Sequence, residues 1–163
     1  MKRTTIKHKL LTTVILAFLS LNFYANGKTE FKKEVKKSFS VNADATLDIE
    51  SSFGSVELSN WDKNEVDIHI EIIADAKTES DAEKFFDKVD IDIDGSSSKV
   101  SISTELEGSN KHYSEEWSIN IYIKMPPSLS LDIEHSFGDL DINEANGRCE
   151  IDLSYGSLDA NSL

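Results

Sequence analysis

The chain has 163 residues, of which 17 are basic and 30 acidic, for a net charge of −13, and it contains one cysteine. That balance opposes binding to nucleic acid and to anionic membrane surfaces, which repel an acidic protein within a Debye length of roughly 10 Å. A lone cysteine excludes a scaffold stapled by internal disulfides, so the chain must hold itself with a core, and its length suffices for one domain that has one.

Residues 1–27 have the three-part form of a secretory signal. Lys2, Arg3, Lys7 and Lys9 precede an apolar run over 10–21, which is shorter than the roughly 20 residues a membrane-spanning helix needs. Ala25 and Gly27 then fit cleavage before Lys28, and no cysteine stands there to carry a lipid. The expected product is exported to the periplasm, the outer cell surface or the medium, with no stable membrane span after cleavage. Without this segment 13 basic and 30 acidic residues remain, a net charge of −17. A divalent cation, a basic partner or a neutral glycan is compatible with that charge. Residues 28–38, with Lys28, Lys32, Lys33, Lys36 and Lys37 around Glu30 and Glu34, read as a basic, solvated leading segment.

From residue 39 to 163 a single domain is expected, and strand signals dominate it. Apolar and polar side chains alternate over 39–41, 46–50, 66–72, 89–94, 99–103, 117–123 and 129–133, the pattern of strands with one buried and one wet face. Only residues 81–88 read as a helix, with Ser80 and Glu83 in capping-box spacing and Ala82, Phe85, Phe86 and Val89 on one apolar face. Turns are expected over 60–64, 94–98, 108–114, 125–128 and 143–147, where Gly, Pro, Asn and Ser gather. Cys149 opens a strand and is expected to act as a small apolar filler.

One phrase occurs three times: Ser52-Phe53-Gly54-Ser55-Val56-Glu57, Ser136-Phe137-Gly138-Asp139-Leu140-Asp141 and Ser154-Tyr155-Gly156-Ser157-Leu158-Asp159. Each copy follows an apolar/acidic alternation, so the repeated unit is strand, aromatic-Gly corner, strand. Self-similarity of this kind predicts stacked rungs. The expected fold is mainly β, a repeat-type β-helix or β-roll with one short packed α-helix. Gly54, Gly138 and Gly156 are expected at positive φ or where rungs approach too closely for a Cβ, and Phe53, Phe137 and Tyr155 are expected to stack in register, facing inward. No capping element follows the third copy, so the domain reads as truncated at its C-terminal end, continuing into further repeats or covered there by a partner.

The signal sequence, the run from Phe39 through Ile49 and the Gly-centred phrases together resemble an exported bacterial family labelled "putative adhesins". The resemblance implies β-strand repeats and a binding or structural role at the cell envelope, with no catalytic residues and no cofactor to carry over. An envelope-sensing or regulatory protein acting through a protein partner is the alternative. A polysaccharide-cleaving β-helix enzyme is a further one, opposed by the absence of any Arg after the signal except Arg148 and of linked spacing among His69, His112 and His135. The expected ligand is a protein or a glycan.

Metal chemistry has one weak candidate. Asp90, Asp92, Asp94 and Gly95 match the first half of a calcium loop, but Ser101 stands where a bidentate Glu is needed. If rungs stack in register, Asp132 and Glu134 neighbour Asp152, and Asp141 neighbours Asp159, giving rows of acids that solubilise the face or hold divalent ions weakly.

Overall fold

The computed structural model describes residues 18–19, 29–108 and 116–163. Of the expected export signal only Phe18–Leu19 is described, as a two-residue strand, β1, beside Lys32 and Lys33; the rest, like His112, lies outside the described residues. The expected leading segment is part of β2 (Thr29–Ser40), which pairs along its whole length with β5 (Glu65–Ala76). Between them come β3 (Thr46–Ser52) and β4 (Val56–Asn60). Helix α1 (Glu79–Phe86), β6 (Val89–Gly95), β7 (Lys99–Leu106) and β8 (Glu116–Met125) follow. The chain then runs through β9 (Ser130–Ser136), β10 (Leu140–Glu144), β11 (Cys149–Ser154) and β12 (Leu158–Ser162).

These strands form two mixed sheets, ordered β1-β2-β5-β8-β4-β10-β12 and β11-β9-β3-β7-β6. The expected β-helix or β-roll is not what forms. In a solenoid each unit contacts only its sequence neighbours, whereas here β2, β5 and β8 pair antiparallel, as do β6 and β7. The 84 residues from Gly54 to Gly138 are therefore not a run of rungs. They hold the long alternating segments, and these pair with each other antiparallel. The three phrases do lie side by side in parallel register: Ile49, Ile133 and Ile151 are partners in one sheet, and Val56, Leu140 and Leu158 in the other.

Inward faces of both sheets supply one core. On β5 the alternation is complete, with Val66, Ile68, Ile70, Ile72, Ala74 and Ala76 buried, and Leu47, Ile49, Ile102, Ile121 and Ile123 join them. Helix α1 begins two residues before the expected box: Thr78 is its N-cap and accepts from the Asp81 amide, a T-x-x-D arrangement of the same chemistry. Its buried Ala82, Phe85 and Phe86 pack toward β5 and β2.

Candidate functional site

At each phrase the chain leaves one sheet, turns a corner and enters the other. The aromatic residue makes that corner, with φ of 68° at Phe53, 57° at Phe137 and 58° at Tyr155. A bulky side chain in this left-handed region costs about 1–3 kcal/mol, so the surroundings must hold it there. Of the three glycines only Gly54 has positive φ, at 116°. What all three share is close approach: a Cβ on Gly138 would lie 1.5 Å from the Gly54 carbonyl oxygen, one on Gly156 1.7 Å from that of Gly138, and one on Gly54 2.1 Å from that of Ile119. The second of the two expected reasons for glycine thus applies throughout. Corner hydrogen bonds hold the stack, from the Phe53 amide to the Ser136 carbonyl and from the Phe137 amide to the Ser154 carbonyl, both 2.9 Å.

The left-handed turn sends the rings outward, contrary to the inward placement expected from sequence. They stack face to face, Phe53 on Phe137 at 5.2 Å with 10° between planes and Phe137 on Tyr155 at 4.9 Å with 4°. Behind Phe53 the run continues into the core, through Trp117 at 4.9 Å edge-on and then Phe85 at 5.5 Å. Exposure climbs along this line from fully buried Phe85 to 37% at Phe53, 51% at Phe137 and 82% at Tyr155. Phe137 stacks with Phe53 and with Tyr155, and Phe53 stacks with Phe137 and meets Trp117 in an edge contact. Among the described residues Tyr155 has one ring neighbour, Phe137.

Burial fades in the same direction between the sheets. In the first two phrases Leu47, Ile49, Val56, Leu131, Ile133 and Leu140 are buried. In the third, Cys149, Ile151 and Leu153 are half-buried and Leu158 is exposed. Cys149 fills the column of Leu47 and Leu131 as expected of a small apolar residue, and burial pushes its thiol pKa up. β11 and β12 are both terminal in their sheets, so one outer row of backbone groups on each is unpaired with any described strand.

Polar residues around the corners are organised by the same register. Asp139 Oδ1 accepts from the Ser157 hydroxyl at 2.6 Å and amide at 3.1 Å, which holds its carboxyl below the ordinary value. Asn120 Oδ1 accepts in the same way from the Ser55 amide at 3.2 Å and hydroxyl at 3.3 Å. Side-chain amides of Asn60, Asn143 and Asn161 form a ladder at 3.0 and 3.2 Å. Inside, His135 Nδ1 lies 2.8 Å from the Ser51 hydroxyl, while its Nε2 is buried without a hydrogen-bond partner. Burial holds the His135 pKa below its ordinary value, although the backbone of Gly54 and Ser51 favours the protonated ring.

Acids fall into rows where the alternation places them. Glu57, Asp141 and Asp159 are register partners; so are Glu50, Glu134 and Asp152, whereas Asp132 stands beside Asp48 and Glu150 rather than beside Asp152. Asp90, Asp92 and Asp94 are exposed on β6, a strand, spaced along it at about 7 Å. They do not wrap a common centre. What the sequence reading missed is the cluster of Glu34, His69 and Glu71, in which Glu34 lies 35 positions before His69 and is brought to it by the β2–β5 pairing. Only the strand partners could have revealed it.

No helix among the described residues is long and apolar enough to cross a membrane. No protein-family model matches the chain, and a search of curated proteins finds no significant match. Among solved structures it is similar to a "putative cell adhesion protein" from Clostridium sporogenes, at 13% identity over 79% of this chain and 58% of that one, with a TM-score of 0.40. It is also similar to a "putative adhesin" from Bacteroides fragilis, at 14% identity over 80% of this chain and 59% of that one, TM-score 0.33. A "putative lipid binding protein" from Parabacteroides distasonis matches at 12% identity over 78% of this chain and 68% of that one, TM-score 0.25. The chain spans about three fifths of the length of the first two, and solved proteins named as adhesins are among those it resembles.

Proposed function

We propose that this is a non-enzymatic binding protein of the cell exterior that captures an extended segment of a protein partner at the edge formed by β11 and β12. The observation that carries the reading is the convergence of three features there: two terminal strands with no described partner on their outer side, a half-open end of the core at Ile151, Leu153 and Leu158, and a Tyr155 ring that, among the described residues, is stacked on one side only. An added strand satisfies the first, its apolar side chains cover the second, and a ring at its corner stacks on the third. The partner segment is basic at alternate positions, because Glu150, Asp152 and Asp159 are exposed along the edge. Adhesion and envelope regulation through a protein partner are both served by such capture. A sugar platform is less well served, since sugars stack on ring faces and these three rings stack on one another.

A labelled synthetic peptide tests this directly. It carries the sequence of residues 149–162 with Glu150, Asp152 and Asp159 replaced by lysine and Cys149 by alanine, and binding is read by fluorescence anisotropy. Saturable binding is expected, weakened by salt, lost with the unmodified acidic peptide, and reduced about two- to tenfold by Tyr155→Ala, the equivalent of one aromatic pair. Absence of binding, or equal binding of both peptides, contradicts strand capture, and binding only to members of a glycan array replaces it with the sugar reading.

A further inference from the structure

At the opposite end of the larger sheet, Glu34 on β2 stands directly across from Glu71 on β5, and His69 projects from the same face two residues before Glu71. Two carboxylates in cross-strand register repel unless a cation lies between them. Lys32 meets both, Glu34 at 3.1 Å, and Lys36 reaches Glu34 at 2.9 Å. The imidazole is left over. His69 Nε2 is buried and makes no hydrogen bond, yet it lies 3.6 Å from a Glu34 oxygen and 3.5 Å from a Glu71 oxygen. These separations are long for a hydrogen bond. They suit atoms that share one ion: bonds of about 2.0–2.2 Å at tetrahedral angles set neighbouring ligand atoms about 3.3–3.6 Å apart.

We propose that Glu34, His69 and Glu71 form a binding site for one divalent first-row transition-metal ion, with zinc the best fit and one coordination position open. An imidazole with two carboxylates selects such an ion over calcium or magnesium, which take oxygen ligands. A cavity of about 280 Å³, lined by His69, Tyr122 and Lys36 among others, lies beside the imidazole. The two lysines compete with the ion for the same oxygens, and both have long stems and partly exposed heads that can turn to solvent. The site uses no residue of the β11–β12 edge, so it stands or falls separately from strand capture.

Calorimetric titration of zinc chloride into chelator-treated protein is the test, run on the wild type and on His69→Ala, Glu71→Gln and Lys32→Met, with circular dichroism to verify the fold of each. One zinc per chain is expected, weakened at least tenfold in His69→Ala and Glu71→Gln and as tight or tighter in Lys32→Met. In the wild type, zinc should also shift the His69 ring-proton resonances, a readout that needs no variant to fold. A wild type that takes up no stoichiometric zinc, unmoved His69 resonances, or a folded His69→Ala that binds zinc equally well overturns the assignment, the last moving the ion to the acidic rows.

Discussion

In the antiparallel half of the larger sheet every second side chain of β5 is buried, and α1 lays Phe85 and Phe86 over it. In the parallel half burial fades from the first phrase to the third, until Leu158 is exposed and Tyr155 is 82% so. Both halves are built from equally regular alternation. The difference is in how strands acquire neighbours: β5 is flanked on both sides by long antiparallel partners, whereas each phrase is covered by the next, and the third has no described strand beyond it. A repeat stacked in register carries its own binding template at its edge, because the next copy's place is already shaped.

The sharpest way to break this contrast is to put a methyl where two corners touch. Gly138→Ala should destabilise by more than about 3 kcal/mol or prevent folding, because its Cβ would meet the backbone of Gly54 in the interior of the stack. Gly156→Ala makes a similar clash at the edge, where the last rung can peel away, and should cost about 1–2 kcal/mol. Denaturant midpoints separate the two, and equal losses would mean that the edge is as firmly held as the interior. Among the aromatics, Phe85→Ala should cost about 3–5 kcal/mol and Tyr155→Ala less than about 1 kcal/mol, following the exposure gradient along the ring line.

Acidity probes the interior of the repeat half. Burial keeps His135 below its ordinary pKa of 6.5, so the unfolded chain binds that proton more readily than the folded one. Stability is therefore full above about pH 6.5 and falls as the pH drops below it; His135→Gln should flatten that fall. Losses from carboxylates with depressed pKa, such as Asp139, and Glu34 at about 2 beside Lys36 and Lys32, come only below their ordinary range near pH 4. The smallest expected effect is a gain. Asp141 lies in register between Glu57 and Asp159, so Asp141→Asn should raise stability by about 0.2–1 kcal/mol in a thermal melt by relieving like charges.

Most strand positions, the single described helix and the neighbours Glu134–Asp152 and Asp141–Asp159 were legible because each depends on local alternation; most of β2 was not, since its Lys and Glu residues read as a solvated leading segment. The fold class was not, because a short phrase with clear self-similarity outweighed the longer strands between its first two copies, whose antiparallel pairing no local pattern reports. The ring orientation failed for a more specific reason. Counting by twos from Leu47 through Ile49 and Ser51 puts Phe53 inside, and the same parity puts Phe137 and Tyr155 there; a left-handed residue at the corner breaks the count. The order aromatic-then-Gly was the available signal, since the glycine was needed for contact with the neighbouring corner and the turn fell to the residue before it.

Hydrogen exchange followed by mass spectrometry, on the protein alone and with the lysine-substituted peptide at saturation, tests the central claim most directly. Amides of residues 149–162 should exchange far faster than those of 65–76 and 116–125 in the protein alone, and should become protected when the peptide is present. Equal protection of both regions in the protein alone, or an edge that stays unprotected with peptide bound, would contradict an open edge that captures a strand.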